Sequence, residues 1–194
     1  MVVAFLLAGH CPRYVRKMVD SVHEVLGCEV VQMSDAKTPA APGVDRVQRL
    51  AHRSPLMVYR FEHILALPDA DHRELLILDS DVLVKRDVRD VFEQDFEVAL
   101  TARAHALRYN TGVMFSKGRE FWRACLDRTY DFTPDYKEWW GDQFAVRDVA
   151  QTGLYKVREL PCSEYNWSPK HEGDTSDAYI WHYKGQRKDW MMAA

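Results

Sequence analysis

Apolar positions fall along the chain in two patterns, short continuous runs and stretches at helical spacing. Residues 2–7 are a continuous apolar run of strand length, which predicts a strand buried on both faces. The run stops at Ala8-Gly9-His10, and Pro12 suits the first turn of a helix. Val15, Met18, Val19, Val22, Val25 and Leu26 follow at helical spacing, with Gly27 in place to end the helix. Residues 29–33 predict a second strand ending at Ser34-Asp35. A β-α-β opening predicts two parallel strands joined by a right-handed crossover.

The pattern continues through a proline-containing loop at 37–43 and a helix over 55–67, with Met57, Phe61, Ile64 and Leu65 on one face. A buried strand over 74–78 runs directly into Asp79-Ser80-Asp81. Further strands are predicted over 96–101, 111–116 and 154–160, and helices over 121–130 and 142–150. From Ser168 the tail is polar until Tyr179-Ile180-Trp181-His182. These elements predict an α/β fold with a mostly parallel central sheet flanked by helices. The 194 residues suit one domain, 1–194, and are too few for two ordinary ones. In open sheets of this kind ligands bind at the carboxyl ends of strands, here Ala8-Gly9-His10, Ser34-Asp35 and Asp79-Ser80-Asp81.

Composition narrows the function. A formal net charge of -3 gives no basic field for nucleic acid. The N-terminal apolar run is too short to span a bilayer, and its basic residues follow rather than precede it, so a signal peptide fits poorly. No later run has the length of a membrane helix, and the expected location is cytoplasmic. Cys11, Cys28, Cys125 and Cys162 form no C-x-x-C pair, so they are expected to be free thiols, mostly buried, rather than a structural zinc site.

Two acids interrupt the apolar run 75–84. A carboxylate left charged in a core is costly, so each must be paired, coordinated or at the sheet edge. Alternate strand residues share a face, so a local bend can turn Asp79 and Asp81 onto one small cation. Mg²⁺ and Mn²⁺ take oxygen ligands and leave positions open for phosphate. The competing reading has both acids capping a turn or pairing with Lys85 and Arg86.

Several segments, in order, carry a resemblance. They are Val58-Tyr59-Arg60-Phe61, the strand Leu76 to Val84 with its Asp-Ser-Asp, and Tyr109-Asn110-Thr111-Gly112-Val113-Met114. Trp140-Gly141-Asp142-Gln143 and His182-Tyr183-Lys184-Gly185-Gln186-Arg187-Lys188-Asp189-Trp190 complete the set. Together they resemble glycosyltransferase family 8 and its GT-A relatives over about two-thirds of the chain. The resemblance implies a GT-A, Rossmann-like fold and a metal-dependent, retaining hexosyltransferase. Its donor would be a nucleoside-diphosphate sugar, most often a UDP-sugar, and its acceptor a hydroxyl group. It implies Mn²⁺ or Mg²⁺ held by Asp79, Asp81 and His182. It also implies donor contacts from Arg60, Asn110, Gly185 and Lys188, and a reacting centre beside Asp142 and Gln143. Asp189 stands where the family has proline, and Ala8-Gly9-His10 stands where many members have an acidic loop that reads uracil.

The same residues admit physical readings of their own. Imidazole at His182 suits Mn²⁺ better than Mg²⁺. Gly185 would let backbone approach phosphates, and Lys188 would bring them a point charge, unless it is a solvated tail lysine. Arg60 offers a planar fork for phosphate or hydroxyls, or bonds Glu62 or Asp79 on a helix surface. Asn110 matches a sugar hydroxyl or begins a strand as a turn residue. Gly112 within a strand suggests a close approach to its backbone, and Gly112, Thr111 and Ser80 are expected among the donor-binding residues. Asp35 at a strand end could meet a base or ribose, and Ala8 lines the corresponding end of the first strand. Gln143 would position the anomeric centre, with Asp142 orienting it, binding acceptor, acting as a transient nucleophile, or serving as an N-cap. Trp139 and Trp140 could stack on sugar rings or belong to the core. Two other functions are open: a catalytically silent nucleotide-sugar-binding module and a nucleotide-sugar hydrolase.

Overall fold

The computed structural model describes residues 1–51, 56–68, 70–71, 73–135 and 140–194. Pro55 and Trp139 lie outside the described residues. In chain order the elements are β1 (Val2–Leu6), α1 (Arg13–Leu26), β2 (Glu29–Ser34), β3 (Arg46–Arg49), α2 (Leu56–Ala66), β4 (Leu75–Leu78) and β5 (Val82–Val84). A 3₁₀ turn (Arg89–Glu93), β6 (Val98–Ala102), β7 (Tyr109–Ser116), α3 (Glu120–Tyr130), α4 (Gly141–Gln151) and β8 (Val157–Pro161) follow. The chain closes with α5 (Cys162–Tyr165), β9 (Ile180–His182) and α6 (Lys188–Met191).

Seven strands form one sheet in the order β3-β2-β1-β4-β7-β6-β8. All pairings are parallel except those of β7, which runs antiparallel to both β4 and β6. The continuous apolar runs have their cause in this placement. On β1 and β4, Val3, Phe5, Leu76 and Leu78 enter one core, which α1 covers. Their alternates Val2, Ala4, Leu75 and Ile77 enter a second core, built with α2, α3 and α4. With both faces dry, every position must be apolar. Gly27 ends α1 at φ 59°, a left-handed conformation that costs other residues a Cβ clash. Pro12 takes the position just before that helix rather than inside it.

β3 was absent from the apolar pattern. It is an edge strand of sequence Arg-Val-Gln-Arg, pairs only with β2 among the described strands, and buries none of its side chains fully. Without a buried face it leaves no alternation to read. β8 starts later than its pattern suggested, since Leu154 is 79% exposed. The four cysteines are free as expected, though only Cys125 is fully buried. Among the described residues no helix is long and apolar enough to cross a membrane.

Candidate active site

The parallel strands β2, β1 and β4 end on one edge of the sheet, so Asp35, Ala8 and Asp79 lie along it. At the end of β4 the Asp79 amide still donates to the Gly112 carbonyl of β7, at 2.9 Å. The chain then turns at Ser80 and leaves the main sheet. β5 pairs instead with β9, antiparallel, with Val82 opposite His182. The Tyr183 amide donates to the Asp81 carbonyl at 2.8 Å. This two-stranded ribbon carries the tail histidine back to the two acids. One ligand atom from each of Asp79, Asp81 and His182 lies within 4.8 Å of the others. His182 Nε2 is 3.2 Å from an Asp81 oxygen and 3.5 Å from an Asp79 oxygen.

Two cations balance the acids. Arg60 pairs with Asp79, and the Lys188 ammonium is 3.2 Å from Asp81. Burial opposes the charge on Asp81, but the His182 hydrogen bond and the nearby His182 and Lys188 outweigh it and hold its carboxyl below the usual range. Burial likewise disfavours the Arg60 charge, and Asp79 and Asp142 more than restore it. Lys188 thus sits in the site and is no free tail lysine.

Beneath the acids lies a buried polar layer. Arg60 donates to the Thr111 carbonyl at 2.8 Å and pairs with Asp142 at 3.4 Å. The Thr111 hydroxyl donates to Asp142 at 2.7 Å, and the Gln143 amide donates to the other Asp142 oxygen at 2.8 Å. Asp142 is 1% exposed, and burial pushes its carboxyl up, against the pull of Arg60 and Thr111. It lies in the first turn of α4; the cap position is Trp140, with no side-chain cap bond. Arg60, Asn110 and Thr111 are also buried; Arg60 and Thr111 bond the acids, while Asn110 accepts from the Gly112 amide and from Asn166. Gly112 does meet a close approach, made by the protein itself. A Cβ there would lie 2.2 Å from His182 Cε1 and 2.9 Å from an Asp79 oxygen.

The remaining expected residues line the rim. Gln143 is half-buried, and its carbonyl oxygen accepts from Arg103 at 3.0 Å. Gly185 is exposed at φ 62°, with open space where a Cβ would be. Ser80 and Ala8 are half-buried. One oxygen of Asp35 accepts from the Lys37 and Thr38 amides, both at 2.7 Å, and so shapes its own loop. Trp140 is 50% exposed.

Four residues to which the sequence assigns no role join the site. Arg103 holds Gln143. Tyr14 lies under the Lys188 ammonium, 5.5 Å from ring centre to nitrogen. Lys184 is half-buried, and burial pushes its ammonium down. Asn166 is 2% exposed and sits 2.8 Å from His182 Nδ1. None stands at a spacing that local periodicity could flag.

Two carboxylates and an imidazole suit Mn²⁺ or Mg²⁺, the nitrogen favouring the former. The residues present fit such an ion: the missing Cβ of Gly112 admits the imidazole, and both acids turn an oxygen to its Nε2 edge.

No protein-family profile matches the chain, and no curated protein does. Solved structures do. The galactosyltransferase LgtC, in complex with donor and acceptor sugar analogues, aligns with a TM-score of 0.66 at 13% identity, over 96% of this chain and 88% of that one. The glycosyltransferase GlyE of Streptococcus pneumoniae TIGR4 aligns at 0.67 and 18%, over 98% of this chain and 59% of that one. A glycosyltransferase involved in glycosylation of the major capsid of PBCV-1 aligns at 0.63 and 15%, over 100% and 98%. The fold is that of GT-A glycosyltransferases.

Proposed function

We propose that this chain is a metal-dependent glycosyltransferase that moves a hexose from a nucleoside-diphosphate sugar, a UDP-sugar, to a hydroxyl acceptor. The observation that carries the reading is the convergence of Asp79, Asp81 and His182 at the carboxyl end of β4, in a fold shared with glycosyltransferases. The three side chains would hold Mn²⁺ or Mg²⁺. When bound, such an ion supplies Lewis-acid stabilisation to a departing diphosphate.

The other roles follow from the chain's own residues. Lys188, paired with Asp81, brings a second positive charge to the diphosphate. Gly185 leaves its backbone open on the same segment. Gln143 has its carbonyl oxygen held by Arg103, which leaves its amide hydrogens to orient the sugar at the reacting carbon. Asp142 has both oxygens engaged at 1% exposure, which disfavours a covalent role and makes it a positioning residue for Arg60, Thr111 and Gln143. With no exposed nucleophile in that position, transfer with retention would proceed by same-face attack, the leaving phosphate oxygen accepting the acceptor's proton. Trp140, exposed three residues before Gln143, offers a ring face to an acceptor sugar.

The test is a thermal-stabilisation screen of nucleotide-sugars with and without Mn²⁺, followed by assay of donor hydrolysis. A ligand that binds only the folded state raises the melting temperature, by an amount that grows with the logarithm of its concentration over Kd. Stabilisation by a UDP-hexose only with Mn²⁺, with slow hydrolysis in the absence of acceptor, supports the proposal. Stabilisation without turnover identifies a silent binding module, and rapid turnover to free sugar identifies a hydrolase. No stabilisation by any nucleotide-sugar contradicts all three.

A further inference from the structure

We propose that Asn166 is a positioning residue that holds a proton on Nδ1 of His182, so that Nε2, the nitrogen facing Asp79 and Asp81, is the one free to give up its proton and ligate a metal. The backbone amide of Gly112 donates to the Asn110 side chain at 2.9 Å, so the Asn110 atom facing it is the carbonyl oxygen. That oxygen can only accept, and the Asn166 side-chain atom 3.1 Å away must therefore be its amide nitrogen. The same nitrogen lies 2.8 Å from the Thr101 hydroxyl, whose own hydrogen goes to the backbone carbonyl of Asn110 at 2.9 Å. Both Asn166 amide hydrogens then have acceptors. The remaining Asn166 atom is the carbonyl oxygen, and it faces His182 Nδ1 at 2.8 Å. A carbonyl cannot donate, so Nδ1 carries the hydrogen.

Local structure makes this alignment possible. Asn166 closes α5 with its amide donating to the Cys162 carbonyl at 3.1 Å. The next residue joins β9: the Trp167 amide donates to Ile180, and the His182 amide donates to the Trp167 carbonyl at 2.7 Å. Asn166, Asn110 and His182 are 2%, 6% and 3% exposed, so water cannot readily substitute for any link. A histidine that ligates a metal through one nitrogen usually donates its other N–H to a fixed acceptor, which orients the ring and raises ligand basicity. Here the acceptor's orientation is inherited from the backbone of β7, the strand that also receives the Asp79 amide. The link to metal binding rests on the metal-centre reading above; the tautomer assignment stands on the hydrogen-bond chain alone.

The experiment has two arms. In metal-free wild-type protein at alkaline pH, ¹⁵N NMR reads the His182 ring, identified by its loss in His182→Gln. A protonated, pyrrole-type Nδ1 is expected, and a bare, pyridine-type Nδ1 overturns the proposal. In the second arm Mn²⁺ alone is titrated into wild type, Asn166→Leu and Asn166→Asp. The leucine keeps the bulk and removes the acceptor, and its Mn²⁺ affinity should fall about 10–100-fold. The aspartate keeps an acceptor for Nδ1–H but turns its second oxygen on the Asn110 oxygen, so its affinity should fall between those of the leucine variant and wild type. Wild-type affinity in a folded Asn166→Leu overturns the proposal. If wild type itself fails to bind Mn²⁺, the metal-centre reading is what fails, and the NMR arm still decides the tautomer.

Discussion

Gly112→Ala adds one methyl group at the point where the site is tightest. The new Cβ would lie 2.2 Å from His182 Cε1, 2.6 Å from Nδ1 and 2.9 Å from an Asp79 oxygen. Ordinary contact begins near 3.4 Å, so the imidazole must retreat by about 1.2 Å. It cannot do so freely, because Asn166 holds Nδ1 and the ribbon partner Val82 fixes the backbone. Gly112 has no positive φ, so the backbone itself accepts alanine and the penalty is steric. Overpacking of this kind costs about 1–3 kcal/mol. In a chain of this length that lowers the melting temperature by roughly 2–12 °C, taking about 2–4 °C per kcal/mol. The functional effect should be larger than the loss of stability suggests. Metal sites tolerate ligand displacements of about 0.2 Å, and misplacing a working group by about 1 Å can cost on the order of 100-fold. Isothermal titration with Mn²⁺ and a thermal melt on the same sample measure both. An alanine variant that melts with wild type and binds Mn²⁺ equally well would refute the packing argument.

Other variants separate the parts of the site. Asp81→Ala should abolish Mn²⁺-dependent UDP binding while circular dichroism shows an intact fold; retained affinity would remove Asp81 from the metal set. Gln143→Ala should lower turnover more than donor affinity, read as kcat against the Kd for UDP-sugar, and an unchanged kcat would move the reacting centre elsewhere. Arg60→Ala leaves Asp79 and the buried Asp142 without their shared cation, a change that costs about 3–5 kcal/mol when a buried pair is broken. Urea denaturation should show a loss of that order, and a stability within 1 kcal/mol of wild type, about the value of an exposed pair, would show that the layer beneath the acids is not held by Arg60.

Much of this architecture is legible in the chain because burial on both faces forces continuous apolar runs. β1 and β4 can be read that way, and α1 declares itself by period and by Gly27. β3 cannot, since an exposed edge imposes no pattern. At the site, Asp79 and Asp81 are conspicuous because acids at the end of a buried strand need a reason. His182 was reached through its Gly-x-x-Lys context, and the β5–β9 pairing supplies the physical cause of its position. Arg60, Asn110 and Thr111 were expected to face a donor; in the fold Arg60 and Thr111 face Asp79, Asp142 and one another, and Asn110 faces the Gly112 amide and Asn166. Residue type foretold the polar chemistry of these positions, while the direction each side chain takes depends on neighbours distant in sequence. Asn166 and Arg103 stayed hidden for the same reason: their partners come from other strands and helices.

On the function proposed above, Asp79, Asp81 and His182 hold one divalent cation and, through it, a nucleoside diphosphate. Calorimetric titration of UDP into the wild-type protein, with Mn²⁺ and then with the metal chelated, tests it most directly. Saturable binding is expected with Mn²⁺ and should be lost on chelation. Equal affinity in both conditions, or no binding in either, would contradict it.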